Sequence, residues 1–212
     1  MKAFIAIMLA SLILIGCSAK PSVAPAPAAP QPADSAAVSE APETKKVIFY
    51  EEMIPLPQPV LVTSFGQSPD SMLAREMFAK MGLEFTFDGM ADPALIAEHK
   101  AVVIVVGTSI KSLISIGADP DKELERCQKF AESIPEDLPV VVVKMGSSQT
   151  HTDFSDDIIL TAVTPADIVV VTKSADDNGG IKKISDNLGK SYHKCANVKE
   201  VEAFLSKTFS DK

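Results

Sequence analysis

Val102-Val103-Ile104-Val105-Val106, running into Gly107-Thr108-Ser109, decides the fold. Five consecutive apolar residues, all β-branched, leave no polar face. A strand of this kind has to be covered on both sides, which a parallel sheet sandwiched between helices provides. Three further runs have the same character: Val60-Leu61-Val62, Val140 to Val143, and Ile168 to Val171. Helical spacing fills the intervals. Leu73, Met77 and Met81 form one apolar stripe, Leu124, Cys127, Ala131 and Ile134 a second, and Phe154, Ile158 and Ala162 a third. Ile181, Ile184 and Leu188 make a fourth, and Val198, Val201, Leu205 and Phe209 a fifth. Ser68-Pro69 and Asp119-Pro120 each place a capping side chain before a proline suited to the first helical turn. Strands alternating with helices predict an α/β domain, three-layered and doubly wound around a mainly parallel sheet.

Strand polarity gives an order. Glu84-Phe85-Thr86-Phe87 alternates and Ser191-Tyr192-His193-Lys194-Cys195 is mostly polar, as edge strands are, whereas the valine runs belong at the centre. The chain then runs outward from its first strand, returns past it and continues in one direction, giving the order 2-1-3-4-5-6 of a Rossmann-like, flavodoxin-like sheet. Val47 to Tyr50 fits either a further strand or an arm on the domain.

In such a sheet the loops after strands one and three are expected to part at the reversal of winding, leaving a crevice at the carboxyl edge where ligands bind. Those loops are Ser64-Phe65-Gly66-Gln67-Ser68 and Gly107-Thr108-Ser109-Ile110-Lys111-Ser112. Gly66 allows close backbone approach, Ser68 stands at a helix start with free amides behind it, and Lys111 brings a positive charge. The expected ligand is a small anion, with Ser64, Gln67, Ser68, Thr108 and Ser109 as hydrogen-bonding groups and Lys111 as its counter-charge. Lys144 and His151, in the next loop, are placed to close the far side. The same residues also read as plain turn and cap formers, and Asp70 in the first helical turn already offsets part of the dipole that would draw an anion. His151 is the best acid/base candidate, since His99 lies near a helix end and His193 on an edge strand. Asp176-Asp177-Asn178 before Gly179-Gly180 lacks the spacing of a calcium loop and reads as a polar turn into a helix; no metal site is expected.

The amino terminus carries a different message. Lys2, an apolar run from Ala3 to Ile15 and small Gly16 before Cys17 form an export signal too short to span a bilayer, which takes about 20 residues. Leu14-Ile15-Gly16-Cys17 resembles the lipobox of bacterial lipoproteins, which implies removal of residues 1–16, lipidation of Cys17 and attachment to a membrane through acyl chains. Ser18 resembles the outer-membrane sorting class, which lacks aspartate there, and in a Gram-negative host implies a domain facing the periplasm. Residues 17–45 hold Pro21, Pro25, Pro27, Pro30, Pro32 and Pro42 among alanines, the composition of an extended tether reaching on the order of 50 to 80 Å. Residues 46–212 are the size of a single domain.

The formal net charge of −8 becomes −9 once Lys2 leaves with the signal. That balance argues against nucleic acid, which rewards clustered lysine and arginine. Cys127 and Cys195 remain after Cys17; Cys127 falls on an apolar stripe, where a buried thiol accounts for it, although an oxidising envelope would permit a disulfide. There is no Gly-x-Ser-x-Gly elbow, no His-Glu-x-x-His and no Gly-x-x-x-x-Gly-Lys loop, so hydrolase and NTPase chemistry find no support. Thr63 to Ser68 resembles a flavodoxin phosphate loop only in part, because Phe65 interrupts it. With no tryptophan and only Tyr50 and Tyr192 to sandwich a flavin, no cofactor is expected.

Thr63-Ser64-Phe65-Gly66-Gln67-Ser68-Pro69 and Val105-Val106-Gly107-Thr108-Ser109-Ile110-Lys111, continuing to Gly117-Ala118-Asp119 and Glu123, resemble segments of a family of exported bacterial and archaeal domains of unassigned function. The resemblance covers most of residues 59 to 209 and implies the same Rossmann-like fold; it implies no activity. Ser112 departs from the glycine usual there. The sequence therefore points to a lipid-anchored envelope domain that captures a small anionic solute. The alternatives are a small-molecule enzyme using His151 or Lys111 as general base, and an assembly or scaffolding lipoprotein whose contact surface lies elsewhere.

Overall fold

The computed structural model describes residues 55–146 and 152–209. Within them the sheet has six strands, all parallel, in the order β2-β1-β3-β4-β5-β6: β1 Val60–Phe65, β2 Phe85–Phe87, β3 Ala101–Val106, β4 Val140–Lys144, β5 Ile168–Thr172 and β6 Ser191–Cys195. The order read from strand polarity is the observed one, with the three-residue β2 and the polar β6 at the edges. The candidate strand at Val47 to Tyr50, the signal, Cys17 and the tether lie outside the described residues.

Each β-branched run is enclosed because its alternate side chains enter different layers. Leu61, Phe65, Val102, Ile104, Val106, Val142 and Val169 meet helices α3 (Pro120–Glu132), α4 (Asp153–Val163) and α5 (Gly180–Asn187) on one face. Val60, Val62, Val103, Val105, Val141, Val143 and Val170 meet α1 (Asp70–Met81) and α6 (Val198–Phe209) on the other. Right-handed crossovers running in opposite directions from β1 put their helices on opposite faces, which makes the sheet doubly wound. The return from β2 to β3 is a 3₁₀ helix, Pro93–Glu98, opened by Asp92, whose carboxylate accepts from Ala94 N at 2.8 Å.

Two details differ from the pattern reading. On α1 the buried side chains are Ser71, Ala74, Met77 and Phe78, while Leu73 is 40% exposed. The stripe at steps of four drifts off the helix face, and alanine with phenylalanine at i+4 supplies the true seam. Leu188, at the end of α5, is likewise outside the core at 41% exposed. Both anticipated helix starts are capped: Asp70 N donates to Ser68 Oγ at 3.1 Å, and Asp121 N and Lys122 N donate to Asp119 at 2.9 and 3.1 Å.

The carboxyl ends of β1 and β3 lie very close. Gly107 N donates to Phe65 O and Ser109 N to Gly66 O, both at 3.0 Å, and Gln67 and Thr108 form an isolated antiparallel bridge. A Cβ on Gly66, whose φ is +86°, would stand 2.6 Å from Gly107 O; a Cβ on Gly107 would stand 2.5 Å from Ser68 Oγ. Gly66→Ala therefore combines left-handed strain with a backbone collision. Gly117→Ala, at φ +68° with open space around it, carries the strain alone. In urea unfolding Gly66→Ala should lose about 2 kcal/mol more than Gly117→Ala; equal losses would mean that the two loops are not in contact.

Candidate functional site

At the carboxyl ends of β1 and β3 the two loops are tied to each other and to residues of α3. The Glu123 side chain is 1% exposed and its carboxylate lies under the β1 loop. Glu123 Oε1 accepts from Gly66 N at 2.9 Å, Gln67 Nε2 at 3.1 Å and Arg126 Nη2 at 2.8 Å, and Oε2 accepts from Arg126 Nε at 2.8 Å. Arg126 Nη2 also donates to Ser64 O at 2.6 Å, and its guanidinium lies 5.6 Å from the Phe65 ring centroid. Burial works against the carboxylate charge, but the Arg126 hydrogen bonds and charge, with Gly66 and Gln67, outweigh it and hold Glu123 below the usual carboxyl range. The thiol of Cys127 on the same helix is pushed up by burial and stays protonated.

This internal carboxylate stands beside the loop where the sequence reading put an external anion, and the candidate residues are engaged as follows. Ser64 is fully buried within β1, and its hydroxyl has no hydrogen-bond partner among the described residues. The Gly66 amide is occupied. Gln67, at φ +61°, spends its side-chain amide on Glu123 and on Gly89 O at 2.9 Å. Ser68 caps α1, and Ser109 caps α2 (Ile110–Ser115), accepting from Ser112 N at 3.1 Å. Thr108 is held in the bridge to Gln67. Lys111 lies in the first turn of α2 rather than in a loop and is exposed, beside Ile110 and Ile114 at 49% and 70% exposure. The two loops meet through these bonds, and Lys111 stands on the exposed face of α2.

A second internal carboxylate acts one strand further on. Asp70, in the first turn of α1, reaches past Gly107 and accepts from Gly146 N at 2.6 Å. Beside it Lys144, the last residue of β4, is 8% exposed, and its ammonium has one acceptor among the described residues, Gly146 O at 3.3 Å. No carboxylate among the described residues forms an ion pair with it. Burial pulls its pKa below the ordinary lysine value, and the charges of Asp70 and Asp176 resist that pull. Asp176 has its oxygens engaged: Oδ1 accepts from Ile181 N at 2.9 Å, and Oδ2 from Lys182 N at 3.1 Å and Tyr192 OH at 2.6 Å. It shapes the start of α5, as the polar-turn reading implies. A hollow of about 290 Å³ opens next to it, between Ile159 of α4 and Ile181 and Ile184 of α5. Ser147, Ser148 and His151, the acid/base candidate, lie outside the described residues.

Sequence reasoning picked out Lys144 but not the Glu123 and Arg126 pair. The available signal was register: Glu123, Cys127 and Phe130 follow at i, i+4 and i+7, and all three are buried, so a carboxylate occupies a core-facing position. Cys127 and Cys195 are free thiols, both buried. Among the described residues no group of histidine, cysteine, aspartate and glutamate could hold a metal ion, and no helix is long and apolar enough to cross a membrane.

Glu123→Ala leaves the Arg126 guanidinium buried beside empty space and should cost about 3 to 5 kcal/mol in urea unfolding. Formate, small enough to enter the vacated position, should restore part of that loss. Because the Glu123 carboxyl is held low, its contribution is complete above the ordinary glutamate range and is lost as pH falls through the lowered value. Glu123→Gln should therefore flatten the acid limb of the stability curve, and an unchanged limb would show that the pair is not formed.

No curated protein and no solved structure matches the chain. Residues 57–209, spanning every strand and helix described above, match the family of domains of unknown function DUF6305, and the chain belongs to that family.

Proposed function

We propose that the chain is an envelope lipoprotein, lipidated at Cys17 and extended on its proline-rich tether, whose α/β domain binds a small anionic solute at the carboxyl edge through Lys144. The observation that carries this reading is the Lys144 ammonium. It offers three N–H donors, is almost enclosed, and has a single carbonyl acceptor, at 3.3 Å, among the described residues. Desolvating a charge with so little compensation is unfavourable, and an incoming carboxylate or phosphate would supply the missing acceptors. The neighbouring backbone donors favour the same centre by elimination: the Gly66 and Gly146 amides are already bound by Glu123 and Asp70. Lys111, Gln67, Ser68, Thr108 and Ser109 frame the rim in this reading, and Lys111 has at most a steering role.

Methionine replaces the lysine stem without the charge, so Lys144→Met tests the assignment while retaining packing. Its unfolding free energy should rise at neutral pH. The wild-type domain should close the gap as pH increases through the lowered Lys144 value toward the ordinary lysine range, where the unfolded chain holds more protons than the folded one. Among inorganic phosphate, acetate and succinate, at least one should bind the wild-type domain by calorimetry, bind more weakly as pH rises through that window, and lose at least about tenfold in affinity in Lys144→Met. Affinity unchanged in Lys144→Met would overturn the assignment. For the anchor, full-length protein made in a Gram-negative host with an alkyne palmitate analogue should be labelled in the membrane fraction, and Cys17→Ser should abolish the label; a labelled Cys17→Ser would contradict it.

A further inference from the structure

We infer that Met90 is a reversible oxidation site, and that the β1 loop senses its state through Gln67. Met90 stands in the turn between β2 and the 3₁₀ helix, where its amide donates to Asp88 Oδ1 at 2.8 Å and the next residue, Ala91, is buried in the core. The backbone of the turn is held in this way, while the Met90 side chain is 43% exposed. Its sulfur accepts from Gln67 Nε2 at 3.0 Å. Among the described residues one other methionine is as open, Met72 at 47%, and no hydrogen bond there involves its sulfur. Met77 and Met145 are buried, and Met81 packs against the core.

A carboxamide nitrogen has two hydrogens to give. Three acceptors stand around Gln67 Nε2: Gly89 O at 2.9 Å, Met90 Sδ at 3.0 Å and Glu123 Oε1 at 3.1 Å. A thioether is a weak acceptor, so in the reduced protein the carbonyl and the carboxylate take most of what Gln67 offers. Oxidation changes that ranking, because it turns an apolar side chain into a polar one. A sulfur lone pair attacks one oxygen of hydrogen peroxide, the O–O bond breaks as the S–O bond forms, and the other oxygen leaves as water. Sulfur loses two electrons and the peroxide gains them. The sulfoxide oxygen, one bond from the present sulfur position, then competes with Gly89 O and Glu123 for the two hydrogens. Two thiols reverse the step, becoming a disulfide while the oxygen leaves as water. Met90 thus links an exposed thioether to the carboxylate that holds the β1 loop, a link that Met72 lacks.

Mass-spectrometric mapping of the chain treated with hydrogen peroxide should find oxygen added at Met72 and Met90 before Met77 and Met145. As Met90 sulfoxide accumulates, the side-chain N–H resonances of Gln67 should move downfield in NMR spectra, and methionine sulfoxide reductase with a dithiol should return them. Met90→Leu keeps an apolar side chain without the sulfur, so the same treatment should leave its Gln67 resonances in place. Met72→Leu should still show the shift. Gln67 resonances unmoved in protein fully oxidised at Met90, an equal displacement in Met90→Leu, or oxidation that spares Met90 while consuming Met72 would overturn the inference.

Discussion

The Glu123 carboxylate accepts from the Gly66 amide, the Gln67 carboxamide, two nitrogens of Arg126 and the Cys127 thiol. A buried carboxylate costs several kcal/mol to desolvate, and only a nearly complete shell of donors offsets that. The β1 loop therefore has to turn its amide inward. Gly66 adopts φ +86° and Gln67 φ +61° to do so, and Gly66 can sit against Gly107 O because it has no Cβ, which would stand 2.6 Å from that oxygen. The guanidinium that completes the shell also ties α3 to the end of β1 through Ser64 O at 2.6 Å. One ion pair thus fixes the junction at which the winding reverses.

The same pair determines where the carboxyl edge remains open to chemistry. In open α/β sheets the amide behind the first strand commonly receives an external anion. Here an internal carboxylate fills that position, and Asp70 does the equivalent service for Gly146. With both amides engaged, Lys144 at the end of a central strand is the nearby buried cation with little compensation among the described residues. The proposed recognition accordingly lies toward β4 and β5 rather than at the β1 and β3 loops.

The fold was legible because it depends on one-dimensional patterns. Val102 to Val106 cannot be half exposed, Ser68-Pro69 and Asp119-Pro120 announce helix starts, and the polar β6 cannot sit at the centre of a covered sheet. The stripe on α1 was misjudged at Leu73 because a spacing of four rotates slowly around a helix of 3.6 residues per turn. The site was harder to read, since it is settled by which side chain reaches a given amide first. Gly66, Gln67 and Ser68 do converge with Thr108 and Ser109, but they bind one another and α3. Lys111 stands in α2 rather than in a loop because Ser109 caps a helix there, while Lys144 is buried with a single carbonyl acceptor among the described residues.

Hydrogen exchange at the Gly66 amide tests the central claim most directly. A loop amide bound by a buried carboxylate should exchange as slowly as core strand amides such as that of Val103, and Glu123→Ala should accelerate it by orders of magnitude more than it accelerates Val103. Exchange of the wild-type Gly66 amide at the rate of an open loop would show that the carboxylate is not seated there, and the reason for placing recognition at Lys144 would go with it.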